Sequence, residues 1–269
     1  MDLKLDGKTA LITGSSKGIG EAIAKGLARE KAVVVVHGRD RAQTERVAED
    51  VIIEGGRAYA VVGDLTIDDD VRRLVAEAQA LAGPIDIVIN NAGGSGDTED
   101  WTNSRPASWA SAYDRNVVAA VRVTTLLLPR MRQAKWGRVV NISSLTGLMP
   151  PASRPDYAAC KAAMNAMTVS MAKAVAADGL TVNTVSPGTI HSARLDARFR
   201  EVALEQRLAK DAPWETIEQT VLPMFAQVPV GRVGTVEEIA DAVSFLVSPR
   251  AGYITGVNLR LDGGMLPTV

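Results

Sequence analysis

Along its first half the chain alternates two kinds of apolar pattern. TALIT (9–13), AVVVVH (32–37), AYAVVGD (58–64) and IDIVINNAG (85–93) are short and nearly continuous in apolar residues. Between them, GEAIAKGLARE (20–30), RAQTERVAEDVIIEGG (41–56) and DDVRRLVAEAQALAG (69–83) place apolar residues every three to four positions. Short β-rich runs bounded by Gly or Asp, separated by amphipathic helices, predict βαβ units around a buried parallel sheet, a doubly wound α/β architecture. A looser stretch follows around Gly96 (SGDTEDWTNSRPAS). The rhythm then resumes with a long helix near Ser111 to Gln133, the strand GRVVNIS (137–143), a helix near Asp156 to Ala177 and the strand LTVNTVS (180–186). Residues 189–230 break it: they are helix-prone and charged, carry Phe199, Trp214, Met224 and Phe225, and lie between Gly188 and the PVGR turn. A long excursion between core elements is the natural place for a lid over a binding site.

Composition narrows the class. With 269 residues, 46% of them apolar, and no repeat or linker, the chain suits one domain, 1–269, with the excursion 189–230 as its lid. Thirty basic residues against thirty-one acidic ones leave a formal charge of −1, no surplus for holding nucleic acid or an anionic membrane. No apolar run approaches the roughly 18 residues of a membrane helix. A single cysteine, Cys160, forms no internal disulfide, and the segment MDLKLDGK has charges where a signal peptide needs an apolar core, so the expected location is the reducing cytoplasm.

Candidate chemistry begins at the first turn. TALITGSSKGIGEAIA sets Gly14, Gly18 and Gly20 between a strand and a helix, where glycine lets backbone approach a pyrophosphate lying at the helix N-terminus. A glycine triad also serves simple tight turns; its place after the first strand favours the dinucleotide. The second strand ends in Gly38, Arg39 and Asp40. A carboxylate at that end accepts from the ribose 2′-OH of NAD, whereas a guanidinium pairs with the 2′-phosphate of NADP. Gly38 occupies the carboxylate's expected position, Arg39 follows, and Lys17 lies inside the loop, which favours NADP; a shift of one residue in register would put Asp40 in contention.

Tyr157 and Lys161 lie four apart in DYAACKAAMNAM and share one face of a helix. A phenol titrates near 10, and an opposite charge within about 4–6 Å lowers a pKa by roughly 1–3. One lysine thus reaches neutrality only at its limit, with the positive oxidised nicotinamide a second contributor. Taken alone, the spacing serves equally well as a packing pair.

The wider set of motifs changes that balance. TGSSKGIG (13–20), Asp64 and Leu65 after the third strand, NNAG (90–93), Asn116, NISS (141–144), YAACK (157–161), SPG (186–188) and the terminal ITGVNLRLDGG occur in one order, and the chain resembles the single-domain short-chain dehydrogenase/reductase family over nearly its whole length. The resemblance implies a Rossmann-type, seven-stranded parallel sheet with helices on both faces. It implies that Tyr157 donates a proton to a carbonyl oxygen, or accepts it in oxidation, while Lys161 lowers its pKa and holds the nicotinamide ribose. The serine thirteen residues before the tyrosine, Ser144 rather than Ser143, would bind the substrate oxygen, and Asn116 would bend its helix around a proton-relaying water. Gly14, Ser16, Lys17, Gly18, Ile19 and Gly20 would cradle the pyrophosphate, with Arg39 at the 2′-phosphate. Asp64 and Leu65 would meet the adenine, Asn91, Ala92 and Gly93 its ribose side, and Pro187, Gly188, Ile190 and Ser192 the nicotinamide carboxamide. A homodimer or homotetramer through the two long helices is the implied assembly.

The chain departs from close relatives at Cys160, where many have serine; a small buried residue is the expectation. Its two histidines, His37 and His191, share no ligand spacing, so no metal is expected. His191 falls beside the nicotinamide turn. Leu195, Phe199, Trp214, Met224 and Phe225 suggest an apolar substrate pocket or, equally, packing within the lid. Asp178 stands where carrier-protein-docking reductases tend to have a basic residue, with Lys135 retaining one such charge. The leading expectation is NADPH-dependent reduction of a ketone or 3-oxoacyl thioester. An NAD-dependent alcohol or diol dehydrogenase and a non-catalytic dinucleotide sensor are the alternatives.

Overall fold

In a computed structural model, which describes residues 1–96 and 100–267, the apolar runs become β1 (Thr9–Ile12), β2 (Val33–Gly38), β3 (Arg57–Val62), β4 (Ile87–Asn90), β5 (Gly137–Ile142), β6 (Leu180–Pro187) and β7 (Asn258–Leu261). They form one seven-stranded sheet in the order β3-β2-β1-β4-β5-β6-β7, with every adjacent pair parallel. Alternation along the strands feeds two cores. Ala10, Ile12, Val34 and Val36 pack on one face against Ile23 and Leu27 of α1 (Gly18–Arg29), Val47 and Val51 of α2 (Arg41–Ile53) and, later in the chain, Ile239 and Val243. Leu11 and Val35, one residue out of step, pack on the other face against Leu74 of α3 (Asp68–Ala82) and Leu127, Ala172 and Val175 further on. Burial on both faces is why these strands read as unbroken apolar runs.

The expected long helix starts earlier, as α4 (Pro106–Tyr113), with Pro106 in its first turn. It continues through a π-helical segment, Asp114–Val118, into α5 (Ala119–Ala134). Of the looser stretch before it, residues 97–99 lie outside the described residues. α6 (Pro155–Val175) follows β5. The excursion folds into α7 (Ala193–Glu205) and α8 (Trp214–Phe225). α9 (Val236–Val247), an amphipathic run that the pattern reading passes over, opens with a full capping box between Thr235 and Glu238 and returns to the α1 face. Among the described residues no helix is long and apolar enough to cross a membrane.

The strand order reverses direction between β1 and β4, since β2 and β3 lie on one side of β1 and β4 to β7 on the other. At such a switch point the loops leaving the carboxyl ends of the two strands diverge and leave a crevice, the standard place for a nucleotide in an open α/β sheet.

Candidate active site

The crevice is bounded on one side by the glycine loop. Gly18 enters α1 at φ +60, and a Cβ on Gly20 would lie 2.5 Å from both the Gly14 carbonyl oxygen and the Asn91 Nδ2, so only glycine lets helix and loop close on each other. The Asn91 amide donates to the carbonyls of Thr13 (3.0 Å) and Gly14 (2.8 Å), and Ala92 N–H donates to the Thr13 hydroxyl (3.1 Å). These bonds tie the end of β4 to the loop leaving β1.

A second tie comes from His37, which sequence reasoning considered only as a metal ligand. Its Nδ1 accepts from Gly14 N–H (3.1 Å), while Nε2 faces the Gly63 carbonyl (3.1 Å). Those partners fix the Nε2–H tautomer, and burial pushes its pKa down to about 4, so the ring is neutral. Only β2–β3 pairing brings Gly63 to this ring, which hid the latch from the sequence.

The register at β2 is as expected: Gly38 is its last residue, with Ser16 packed over it. Asp40 caps α2 through Gln43 N–H (2.9 Å) and is thereby committed elsewhere. Arg39 and Lys17 are exposed at the loop, and neither forms a hydrogen bond or ion pair among the described residues. Leu65 is buried in the second core, and the Asp64 carboxylate accepts from Thr66 N–H (2.9 Å) and hydroxyl (2.8 Å), which holds its pKa below the usual carboxylate value. A closely approachable backbone loop, a helix N-terminus and two uncommitted cations fit a phosphorylated dinucleotide.

Across the crevice, Ser144 and Tyr157 line the same cleft, and the serine hydroxyl is among the influences that lower the phenol's pKa. Thr146 donates to the Ser144 oxygen through both its N–H (3.2 Å) and its hydroxyl (3.0 Å), which leaves the serine proton free to point into the cleft. Thr146 is a positioning residue that no motif flagged. Ser143, by contrast, is buried and donates to the Lys161 carbonyl (3.0 Å).

Lys161 is buried, with its ammonium donating to the Ile142 carbonyl (2.8 Å) and 5.5 Å from the centre of the Tyr157 ring. Burial lowers its pKa to about 8. The phenol differs from the expectation: its pKa is raised, because burial outweighs the lowering influence of the Ser144 hydroxyl and the Arg154 charge, and the lysine is not among the influences that lower it. With the ammonium turned to a backbone carbonyl, Tyr157 is a firmly protonated acid.

Asn116 lies in the π-helical segment, fully buried. Its Oδ1 accepts from Gly94 N–H (2.9 Å), and its Nδ2 donates to the carbonyls of Gly94 (3.1 Å) and Ala112 (2.9 Å). The amide thus clamps the loop after β4, and Gly93 packs against it so closely that a Cβ there would meet Oδ1 at 2.5 Å.

Ser144, Tyr157 and Lys161 open on one cleft of about 880 Å³ with Lys17, Gly18, Ile19, Asn91 and Gly93 on its cofactor side. Pro187, Gly188, Ile190 and Ser192 line its far end. Gly188 N–H is held by the Leu261 carbonyl (2.9 Å), Ile190 bridges to Gly234, and Ser192 caps α7 through Leu195 N–H (3.2 Å). Gly14, Ser16, Gly20, Arg39, Asp64, Leu65, Ala92 and Asn116 lie outside this lining.

Comparison with known proteins agrees with this geometry. The family model for short chain dehydrogenase matches residues 8–203. The chain belongs to the short chain dehydrogenase family. It is therefore a nicotinamide-dependent oxidoreductase. It is 35% identical over 263 residues to a 3-oxoacyl-(acyl-carrier-protein) reductase of Pseudomonas aeruginosa, covering 98% of this chain and 99% of that one. Among solved structures, L-sorbose reductase from Gluconobacter frateurii, complexed with NADPH and L-sorbose, matches at a TM-score of 0.91 with 32% identity and full coverage of both chains. A 3-oxoacyl (acyl-carrier-protein) reductase from Agrobacterium tumefaciens with NADP bound matches at 0.84 with 34% identity, over 97% of this chain and 95% of that one.

Within this short chain dehydrogenase, the excursion decides between the two readings of its apolar residues. Leu195, Phe199 and Trp214 pack within the excursion. Phe199 is fully buried among Val202, Ile217, Val221 and Leu222, with Leu195 and Trp214 against it. Met224 and Phe225 are 56% and 49% exposed, and none of the five lines the cleft. What the excursion presents to the cleft is Ile190, His191, Ser192, Ala193 and Arg194. The His191 ring stacks on Trp214 at 4.1 Å between centroids. Cys160 is buried, and its thiol pKa is pushed up to about 11, chiefly by burial.

Proposed function

We propose that the protein is an NADPH-dependent ketone reductase acting on a small polar ketone. The observation that carries the reading is the cleft that Ser144, Tyr157 and Lys161 line together with His191, Ser192 and Arg194, with Lys17 and Arg39, whose side chains have no hydrogen-bond or ion-pair partner among the described residues, at the glycine loop. NADP-bound neighbours at 32% and 34% identity support the cofactor choice. When bound, the reduced nicotinamide supplies the hydride to the carbonyl carbon. Ser144 holds the carbonyl oxygen, Tyr157 delivers its proton to that oxygen as charge develops, and solvent restores the phenol. Lys161, Asn91, Gly93, Pro187, Gly188, Ile190 and Ser192 hold the cofactor half, while Asn116 positions the loop after β4. A phenol held protonated by burial favours the reductive direction over alcohol oxidation.

A carrier-bound 3-oxoacyl thioester is the less supported substrate. Asp178 accepts from Arg132 Nε (2.6 Å) and Lys135 Nζ (2.7 Å), so part of the positive charge at this face is already engaged within the chain. Residues 189–230 act as the lid of a single domain, and the chain works in the cytoplasm as a homodimer or homotetramer. The exposed Val121 on α5 and Val169 on α6 support an interface there.

NADPH absorbance followed over a panel of L-sorbose, simple cyclic ketones and free and carrier-bound 3-oxobutyryl thioesters tests the reading. Consumption with the polar ketones is expected. Turnover of the carrier-bound thioester alone, or of nothing, would overturn it.

A further inference from the structure

The cleft has more positive charge than the cofactor explains. No Asp or Glu is among its lining residues, yet Arg154 and Arg194 both are. Neither guanidinium forms a hydrogen bond or ion pair among the described residues. Their neighbours are matched: Arg200 and His191 both engage Asp196, at 2.8 and 3.6 Å, and Arg232 pairs with Glu238 at 2.6 Å. Arg194 is left over although Asp196 is only two residues away.

The two arginines also stand away from the glycine loop. The phosphates of a dinucleotide belong at the glycine loop, the start of α1 and the end of β2, where Lys17 and Arg39 wait. Arg154 instead precedes α6 and Arg194 begins α7, the elements that flank Tyr157 and the far end of the cleft. Arg154 is held at φ 57, ψ 52, a left-handed conformation that it shares with Lys4, Lys31, Lys135 and Arg207. It lines the same cleft as Ser144 and Tyr157. A guanidinium is built to hold carboxylate or phosphate oxygens by paired, charge-assisted hydrogen bonds.

We infer that the ketone carries an anionic group, a carboxylate or a phosphate, bound by Arg154 from the start of α6 and by Arg194 from the excursion. This rests on the ketone-reductase reading and names its substrate class. The test uses L-sorbose, the keto acid made by oxidising its terminal CH2OH to a carboxylate, and its terminal phosphate ester. Values of kcat/KM are compared in the parent, Arg154→Gln, Arg194→Gln and Arg154→Lys, alongside calorimetric titration of the keto acid and of the phosphate ester into NADP-saturated protein.

At least one anionic ketone should outperform L-sorbose by about tenfold or more, and each Gln variant should cut that anionic-to-neutral ratio by roughly tenfold, with Arg154→Lys between. The better of the two anions identifies the group. Because the ratio cancels effects on Tyr157 acidity or NADPH binding, a ratio that stays put while KM for NADPH rises would assign the arginines to the cofactor and sink the inference. Equal or better use of L-sorbose by the parent would do the same while leaving the reductase reading intact. If no probe is reduced but an anion binds and the Gln variants weaken its binding, the anion site stands and the reductase reading falls. With neither reduction nor anion binding, both fall.

Discussion

The glycine-loop wall of the cleft takes its shape from backbone pinned into the sheet, whereas the wall made by residues 189–230 takes its shape from side chains packed on one another. On the first, the His37 ring and the Asn91 amide hold main-chain atoms of Thr13 and Gly14, and the strands beneath are shared with two sheet-wide cores. On the second, Phe199 stacks with Trp214 at 5.7 Å and Phe225 at 5.2 Å in a cluster distinct from both. Cofactor geometry is thus a property of the whole fold. The wall made by residues 189–230 is a small satellite that can loosen without disturbing the sheet.

Five substitutions break or sharpen this contrast. The largest effect belongs to the chemistry between the walls: Tyr157→Phe should lower turnover by about 10³-fold or more, in line with losing a general acid, while fluorescence titration shows NADPH binding unchanged. Phe199→Ala should cost about 3 kcal/mol within the excursion. Hydrogen exchange would then rise in α7 and α8 and KM for the ketone with it, leaving NADPH affinity alone; loss of cofactor binding would show that the two walls are not independent.

Lys161→Met addresses the burial of charge. Its pKa falls from the ordinary 10.5 to about 8 on folding, so near neutral pH the folded chain carries a buried ammonium at a cost of up to about 3 kcal/mol. Between about 8 and 10.5 the unfolded chain binds more protons than the folded one, so the parent's stability rises with pH across that window. The inactive methionine variant should therefore melt higher than the parent at pH 7, and the gap should close by about pH 10.5. Arg39→Asp should move the NADPH-to-NADH ratio of kcat/KM by roughly ten- to a hundredfold towards NADH, the worth of one charge-assisted pair. Met224→Ser, on the exposed side of α8, should change stability by less than about 0.5 kcal/mol and leave both Michaelis constants in place.

What the sequence disclosed follows the same division. The strands, the glycine loop and the Gly38–Arg39 register were legible because backbone requirements leave local signatures: unbroken apolar runs and glycines where a Cβ would collide. The latch at His37, the Thr146 support of Ser144 and the turn of Lys161 towards Ile142 depend on partners brought together by strand pairing and helix docking, and no local spacing encodes them. The excursion stayed undecided because an apolar residue in a lid reads the same whether it faces a ligand or its own core. Its polar residues, Arg194 above all, carried the information about the cleft.

The π-helical segment around Asn116 bears on how this chain tolerates changes in length. Such a segment is a helix with one residue too many, its hydrogen bonds shifted by one position to absorb the surplus. Removing one residue between Asp114 and Val118 would let an ordinary α-helical ladder re-form with α4 and α5 still in phase, and the widened turn that carries Asn116 would be lost. Asn116 would leave Gly94, and the loop after β4 would lose its clamp. A one-residue deletion here is therefore a more severe genetic lesion than most substitutions, although every side chain involved in the chemistry would still be encoded.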